Sequence, residues 1–160
     1  RLGPLNDSSL IAIPLSRIHY MLVSNQHLIE ALPMVKHPAD LACWPCIRNH
    51  IDGLLLPWHF IYESELFNLD PKNPILSDDL MVSRQLALHG AGVARLPKPI
   101  VKADIDKGRL VTLHEEWMPP ARELYLVYSD KKHLPSKSTA FIEFMRDKRH
   151  TIKQIFFDCD

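Results

Sequence analysis

Glycine is scarce in this chain. Five residues of 160 are glycine, where average usage gives roughly eleven. No internal repeat and no low-complexity segment is found. There is also no Gly-x-Gly-x-x-Gly and no phosphate loop, so no nucleotide cradle is legible. Cysteine numbers three, too few and of the wrong parity for a disulfide scaffold, which points to a reducing, cytoplasmic setting. Charge of one sign is missing as well: Lys plus Arg is 19, Asp plus Glu is 19, and the formal net charge is zero. A domain without basic excess is a poor nucleic-acid binder by itself. No apolar run approaches the roughly 20 residues that a membrane helix needs, and no secretory leader is visible. A nucleophile flanked as Gly-x-Ser-x-Gly is also absent, which leaves serine hydrolase chemistry without support.

What is present is an ordinary globular balance, 46% hydrophobic and 24% charged, long enough to bury a sizeable core. Thirteen prolines punctuate the chain into many short elements, because proline fixes φ and removes a donor. Gly3-Pro4 and Asn6-Asp7-Ser8-Ser9 read as turns. Ile18 to Val23 reads as a buried strand. Ser24 or Asn25 then caps a short helix reaching Leu32. Ala39 to Leu41 is a single helical turn, and Cys46 to Arg48 and Trp58 to Tyr62 are strands. Ser77 is expected to cap a helix running to His89, which Gly90 stops. Val93 to Leu96, Arg109 to Leu113 and Leu124 to Tyr128 are further strands, with a helix over Pro99 to Lys107. From Ser136 onward Phe141, Phe144, Met145, Lys148, Ile152 and Ile155 follow helical spacing. Alternation of strand and helix predicts an α/β fold with a mainly parallel sheet.

Chemistry-bearing clusters are few. Cys43-Trp44-Pro45-Cys46 has the spacing of a redox dithiol, but no strand leads in and no helix leads out. His37, Cys43, Cys46 and His50 together offer the two nitrogens and two sulfurs of a zinc site, at a spacing unlike a standard finger. Glu115-Glu116 reads as a solvated turn. Arg146, Lys148, Arg149 and Lys153 are interrupted by Glu143 and Asp147 and read as a solvated face. Polar or aromatic residues at strand ends, Ser24-Asn25, Trp58-His59-Phe60 and Ser77-Asp78, fall where α/β sheets place small ligands.

The order of segments resembles the effector-binding domain of LysR-type transcriptional regulators. Arg1 to Ala12 is similar to that family's "IRIGPLPDSSLIA", and Leu22-Val23-Ser24-Asn25 resembles the start of "LVASPAYL". His37 to Leu41 matches "HPADL", and Cys46-Ile47 falls at "PCL", which gives Cys46 an ordinary structural role. Ser77 to Pro97 resembles "SNDSDAL…GLGIALLP", and Gly108 to Val111 matches "GRLV". Leu124 to Tyr128, His133-Leu134-Pro135 and Phe141 to Phe144 resemble "LYLVYPSRRHLPAKVRAFIDF". The match extends from Arg1 to about Phe144.

The resemblance implies a type 2 periplasmic-binding-protein-like fold, two α/β subdomains around a cleft. Subdomain II is expected over about 15–95, with 1–14 and 96–160 forming the returning part of subdomain I. The family's DNA-binding helix-turn-helix and the first βαβ portion of subdomain I are not in this chain, which opens on Arg1 and not Met and is expected to be a fragment. It should therefore expose apolar sheet edges, which favours association. The implied function is sensing, not enzymatic: a small-molecule effector, an organic anion or an amino acid, shifts the arrangement of a homo-oligomer. DNA is reached only through the absent N-terminal domain, and no metal or other cofactor is implied. The effector-facing candidates are Gly3, Ser24, Asn25, Trp58, His59, Phe60 and Ser77. The alternatives are a zinc- or thiol-based protein using His37, Cys43, Cys46 and His50, or an exported solute-binding protein of the same fold.

Overall fold

A computed structural model of the chain describes residues 2, 10–51, 54–55, 57–129 and 134–157. The chain divides into two compact units, one made of 1–19 and 121–160, the other of 20–120. The division falls at 19/20 and 120/121, later than the 14/15 and 95/96 boundaries expected. Pairing accounts for this: the strands at 93–97 and 111–113 join the sheet of the second unit, while the strand at 122–129 belongs to the first.

In the first unit, strand β1 (Leu10–Ile18) forms an antiparallel pair with the late strand Arg122–Ser129, from Leu10 opposite Ser129 to Ile18 opposite Arg122. The register slips between Pro14 and Ser16, and this bulge lets the consecutive Leu15 and Ser16 both be buried. Two helices, Ser136–Asp147 and Arg149–Phe157, belong to the same unit, the second lying on β1. The single helix expected after Ser136 is thus two, parted at Lys148. Ile142 is buried, whereas Phe141 and Phe144 are more than half exposed.

The second unit begins with β2 (Tyr20–Ser24), α1 (Gln26–Ala31) and a 3-10 segment, Pro38–Cys43. There follow β3 (Cys46–Ile51), β4 (Leu54–Leu55), β5 (Trp58–Tyr62), β6 (Glu65–Leu69) and β7 (Ile75–Ser77). Helix α2 (Leu80–Leu88), β8 (Val93–Pro97), α3 (Lys98–Asp106), β9 (Val111–Leu113) and a second 3-10 turn, Glu115–Trp117, complete it. The main sheet runs β4-β3-β8-β2-β9, with β7 also paired to β3. The mainly parallel sheet expected from strand and helix alternation is corrected here. Among the described residues only β3 with β7 and β3 with β8 are parallel, while β2 lies antiparallel to both β8 and β9. Both antiparallel partners of β2 come from far later in the chain, so their direction is set by the long-range path of the chain and not by local alternation of strand and helix.

Both faces of this sheet are covered, and strand periodicity shows how. Met21, Val23, Ile47, Ala94 and Leu96 pack with Ala87 of α2, Val101 of α3 and Leu110. The alternate residues Leu22, Cys46 and Val93 pack on the opposite face with Leu41, Trp44, Trp58, Phe60 and Trp117. The β5–β6 hairpin turns through Glu63 and Ser64, both at positive φ.

Candidate functional site

Strand β7 ends beside the parallel strand β3, two residues short of the end of β3. Asn49 is the register partner of Ser77, the last matched pair of the two strands. The carboxyl ends of parallel strands are where open α/β sheets place ligands. A polar network sits here against the start of α2. Asn49 Nδ2 donates to Ser83 Oγ at 2.7 Å, and Ser83 Oγ donates to the Asp79 carbonyl at 3.1 Å. Ser77 Oγ donates to the same carbonyl at 2.9 Å. Asn49, Ser77 and Ser83 are all buried, so the network is held rigidly and unpaired groups in it would be costly.

Asp79, not Ser77, caps α2: its Oδ1 accepts from the backbone N–H of Met81 at 2.6 Å and of Val82 at 3.1 Å. The expected Ser77 cap is corrected because Ser77 is still in strand register with Asn49. Ser77 instead accepts the Asp79 N–H at 3.2 Å, closing a serine turn into the helix.

The other expected effector-facing residues are placed as follows. Gly3 lies outside the described residues. Ser24 ends β2 fully buried, and its hydroxyl donates to the Gly92 carbonyl at 3.0 Å. Asn25 caps α1, its Oδ1 accepting the Leu28 N–H at 2.9 Å while Nδ2 donates to the Leu88 carbonyl at 3.3 Å. Gly90, at φ +72°, passes so close that a Cβ there would meet Asn25 Nδ2 at 2.8 Å. An open cavity of about 460 Å³ adjoins this corner, its lining including Asn25, His27, Gln85, His89 and Arg109. Trp58 and Phe60 are core residues, with Phe60 edge-on to both Trp58 and Trp117. His59, between them on the other face of the strand, meets Asn68 Oδ1 across the hairpin at 2.5 Å through Nδ1. The structure therefore gathers Ser77 with Asn49 and Ser83, and Ser24 with Asn25 at the β2–α1 junction, while Trp58 and Phe60 are held within the core.

Asn49 was missed at the sequence level. Its signal is the polar run Arg48-Asn49-His50 breaking an apolar strand at its carboxyl end. Arg48 is buried in that run and pairs with the exposed Asp70.

The Cys43–His50 alternative is corrected by the same geometry. His37 Nδ1 is occupied, accepting the Ala39 N–H at 3.0 Å, and its ring packs edge-on to Tyr62 and Phe67. Cys46 is buried, and its thiol faces the Leu41 carbonyl at 3.5 Å. Burial pushes that thiol up to about 12, against a weaker opposing pull from Arg48, so it stays protonated where a metal or redox site needs thiolate. Among the described residues no group of three or more His, Cys, Asp and Glu is arranged for a metal, and Cys43 and Cys46 are both free. Among the described residues, too, no helix is long and apolar enough to cross a membrane.

Comparison with known proteins places this geometry. The LysR substrate binding domain family matches residues 1–149. The HTH-type transcriptional regulator PtxR of Pseudomonas aeruginosa is 32% identical over 149 residues, covering 92% of this chain and 47% of that protein. The HTH-type transcriptional activator AaeR of Escherichia coli is 24% identical, over 98% of this chain and 50% of its own length. The chain thus spans about half the length of these curated relatives. Among solved structures, the regulatory domain of AphB in Vibrio vulnificus superposes with a TM-score of 0.78 at 30% identity, covering 92% of this chain and 72% of that one. The regulatory domain of CrgA from Neisseria meningitidis, at TM-score 0.72 and 21% identity, shares the fold. That fold is the type 2 periplasmic-binding-protein-like α/β fold the sequence motifs implied. The chain belongs to the LysR substrate-binding domain family.

Proposed function

We propose that this domain senses a small organic anion or amino acid and transmits its presence to a DNA-binding helix-turn-helix domain of a longer, cytoplasmic transcription regulator. The observation that carries the reading is the family match across residues 1–149. The domain does no chemistry of its own in this reading: it is a binding module in a homo-oligomer, and effector favours one arrangement over another. The effector site is assigned to Gly3, Ser24, Asn25, Trp58, His59, Phe60 and Ser77, joined by Asn49. Their roles differ. Trp58, Phe60 and the Ser24 hydroxyl are committed to the core and fix the walls. Asn25, Asn49, His59 and Ser77 supply polar groups at strand ends, which suits a ligand that needs orientation more than apolar area.

Thermal-shift screening of the chain against small carboxylates and amino acids tests this. A binder should raise the melting temperature in proportion to its affinity. Affinity should then fall about tenfold or more in Ser77→Ala and Asn49→Ala. Unchanged affinity in both variants removes this end of the sheet from the site. In the longer regulator, the same ligand should alter operator binding in a gel-shift assay, and a ligand that leaves it unaltered is no effector.

A further inference from the structure

We propose that the first unit carries a second ligand site of its own, selective for a small dianion, on the face of β1 covered by the last helix. A cavity of about 320 Å³ opens there, lined by Pro14, Ser16, Arg17, Glu123, Arg149 and Lys153. All six residues belong to the unit made of 1–19 and 121–160. The volume suits a small metabolite, at the lower end of ligand pockets.

Among the described residues that line it, three are cations and one is a carboxylate. Glu123 is committed: its Oε1 accepts from Arg17 Nε at 2.7 Å, across a matched register pair of the two strands. That bond fixes the guanidinium through one nitrogen and leaves its two terminal nitrogens available as a fork, the geometry that binds carboxylate and phosphate. Arg149 and Lys153 stand one turn apart on the same helix, where like charges repel. Glu143 and Asp147, which interleave with the basic residues in the sequence and suggested a solvated face, do not line the cavity. An anion between these cations relieves their repulsion.

The strand bulge supplies the remaining group. The slip between Pro14 and Ser16 turns Ser16 onto the cavity, where it is 4% exposed. Among the described residues its hydroxyl has only a long 3.4 Å contact, to the neighbouring Arg17 carbonyl. A buried hydroxyl so weakly satisfied is a donor waiting for an acceptor, and bulges recur beside functional sites because they re-aim a side chain in this way. Fork, ammonium, second guanidinium and hydroxyl together match a dicarboxylate or a phosphate monoester.

Isothermal titration of the chain with inorganic phosphate and with succinate, at ionic strength held constant with sodium chloride, tests the site. Saturable binding with a dissociation constant below about 10 mM is expected for at least one of them. The tighter of the two tells a phosphorylated ligand from a dicarboxylate. Arg149→Gln and Lys153→Gln change exposed side chains, so folding is spared, and each should weaken binding about fivefold or more. Ser16→Ala should weaken it by less. Heats no larger than those of added chloride, or an affinity unchanged in the Arg149→Gln/Lys153→Gln double variant, overturn the proposal. The site is independent of Asn49 and Ser77, so Ser77→Ala should leave phosphate and succinate binding intact, and failure of one reading is distinguishable from failure of the other.

Discussion

The two units bury apolar surface in different ways. In the unit made of 20–120, the central strands are covered on both faces, and consecutive residues such as Leu22 and Val23 enter separate clusters with neither exposed. In the unit made of 1–19 and 121–160, two strands form the whole sheet among the described residues. Residues 123–128 of its later strand are all only partly buried, and Phe141 and Phe144 of its first helix are 54% and 55% exposed. A two-stranded sheet is marginal alone. Stability should therefore be concentrated in the unit that holds Asn49 and Ser77, while the other unit offers accessible, charged and apolar surface for further contacts.

The sharpest break of that comparison is a pair of phenylalanine truncations. Phe60→Ala should lose about 3–5 kcal/mol in urea unfolding, because a fully buried ring leaves a cavity among tryptophans. Phe144→Ala should lose no more than about 0.5 kcal/mol, as expected for a surface change. A comparable loss at both would show that the Phe144 face is covered in solution, by association of the kind an apolar patch invites.

A smaller effect is expected at Asp104, which ties α3 to its surroundings. It is fully buried and pairs with Arg84 Nε at 2.5 Å and with Arg109. Burial alone would raise its carboxyl, but hydrogen bonds and charge from Arg84 and Arg109 outweigh it and hold the group below its ordinary 3.8. Its contribution is therefore present above about pH 4 and lost as pH falls through the depressed folded value. Asp104→Ala should cost about 1–3 kcal/mol at pH 7, less than a fully buried pair would, because Arg109 can turn to water. Melting curves from pH 7 to pH 2 should show a shallower acid decline in the variant. An identical slope would mean that other carboxylates carry the acid sensitivity.

The mildest change is Asn25→Ala. It removes the α1 cap and the bond to the Leu88 carbonyl, and should lower stability by about 1 kcal/mol. Loss of effector affinity without that loss of stability would make Asn25 a ligand contact first and a cap second.

Much of the fold was legible in the sequence, and the misses have local causes. Gly90 stops α2 as read, at positive φ and against Asn25. The apolar run Ile18 to Val23 reads as one strand, yet it divides at His19, where β1 pairs with a strand more than a hundred residues later and β2 joins another sheet. Strand β6 gave little signal because its hairpin turns through Glu63-Ser64 with no glycine or asparagine to announce two positive φ angles. Strand β7 is three residues long, too short for periodicity. For the site, strand ends at Ser24, Asn25 and Ser77 could be marked from turn and cap chemistry. Asn49 could not be joined to Ser77 and Ser83, since that needs parallel pairing of β3 with β7.

The sequence by itself determined the family, the order of most elements and the two-sided burial of β2, because these depend on near-neighbour spacing and motif order. Tertiary structure alone decided which strands are antiparallel, that Asp79 rather than Ser77 caps α2, that the Cys46 thiol is sealed in the core, and that Arg17, Arg149 and Lys153 face one cavity. Each of these joins groups far apart in the chain, and such contacts are selected by packing and charge in three dimensions, which no local pattern encodes.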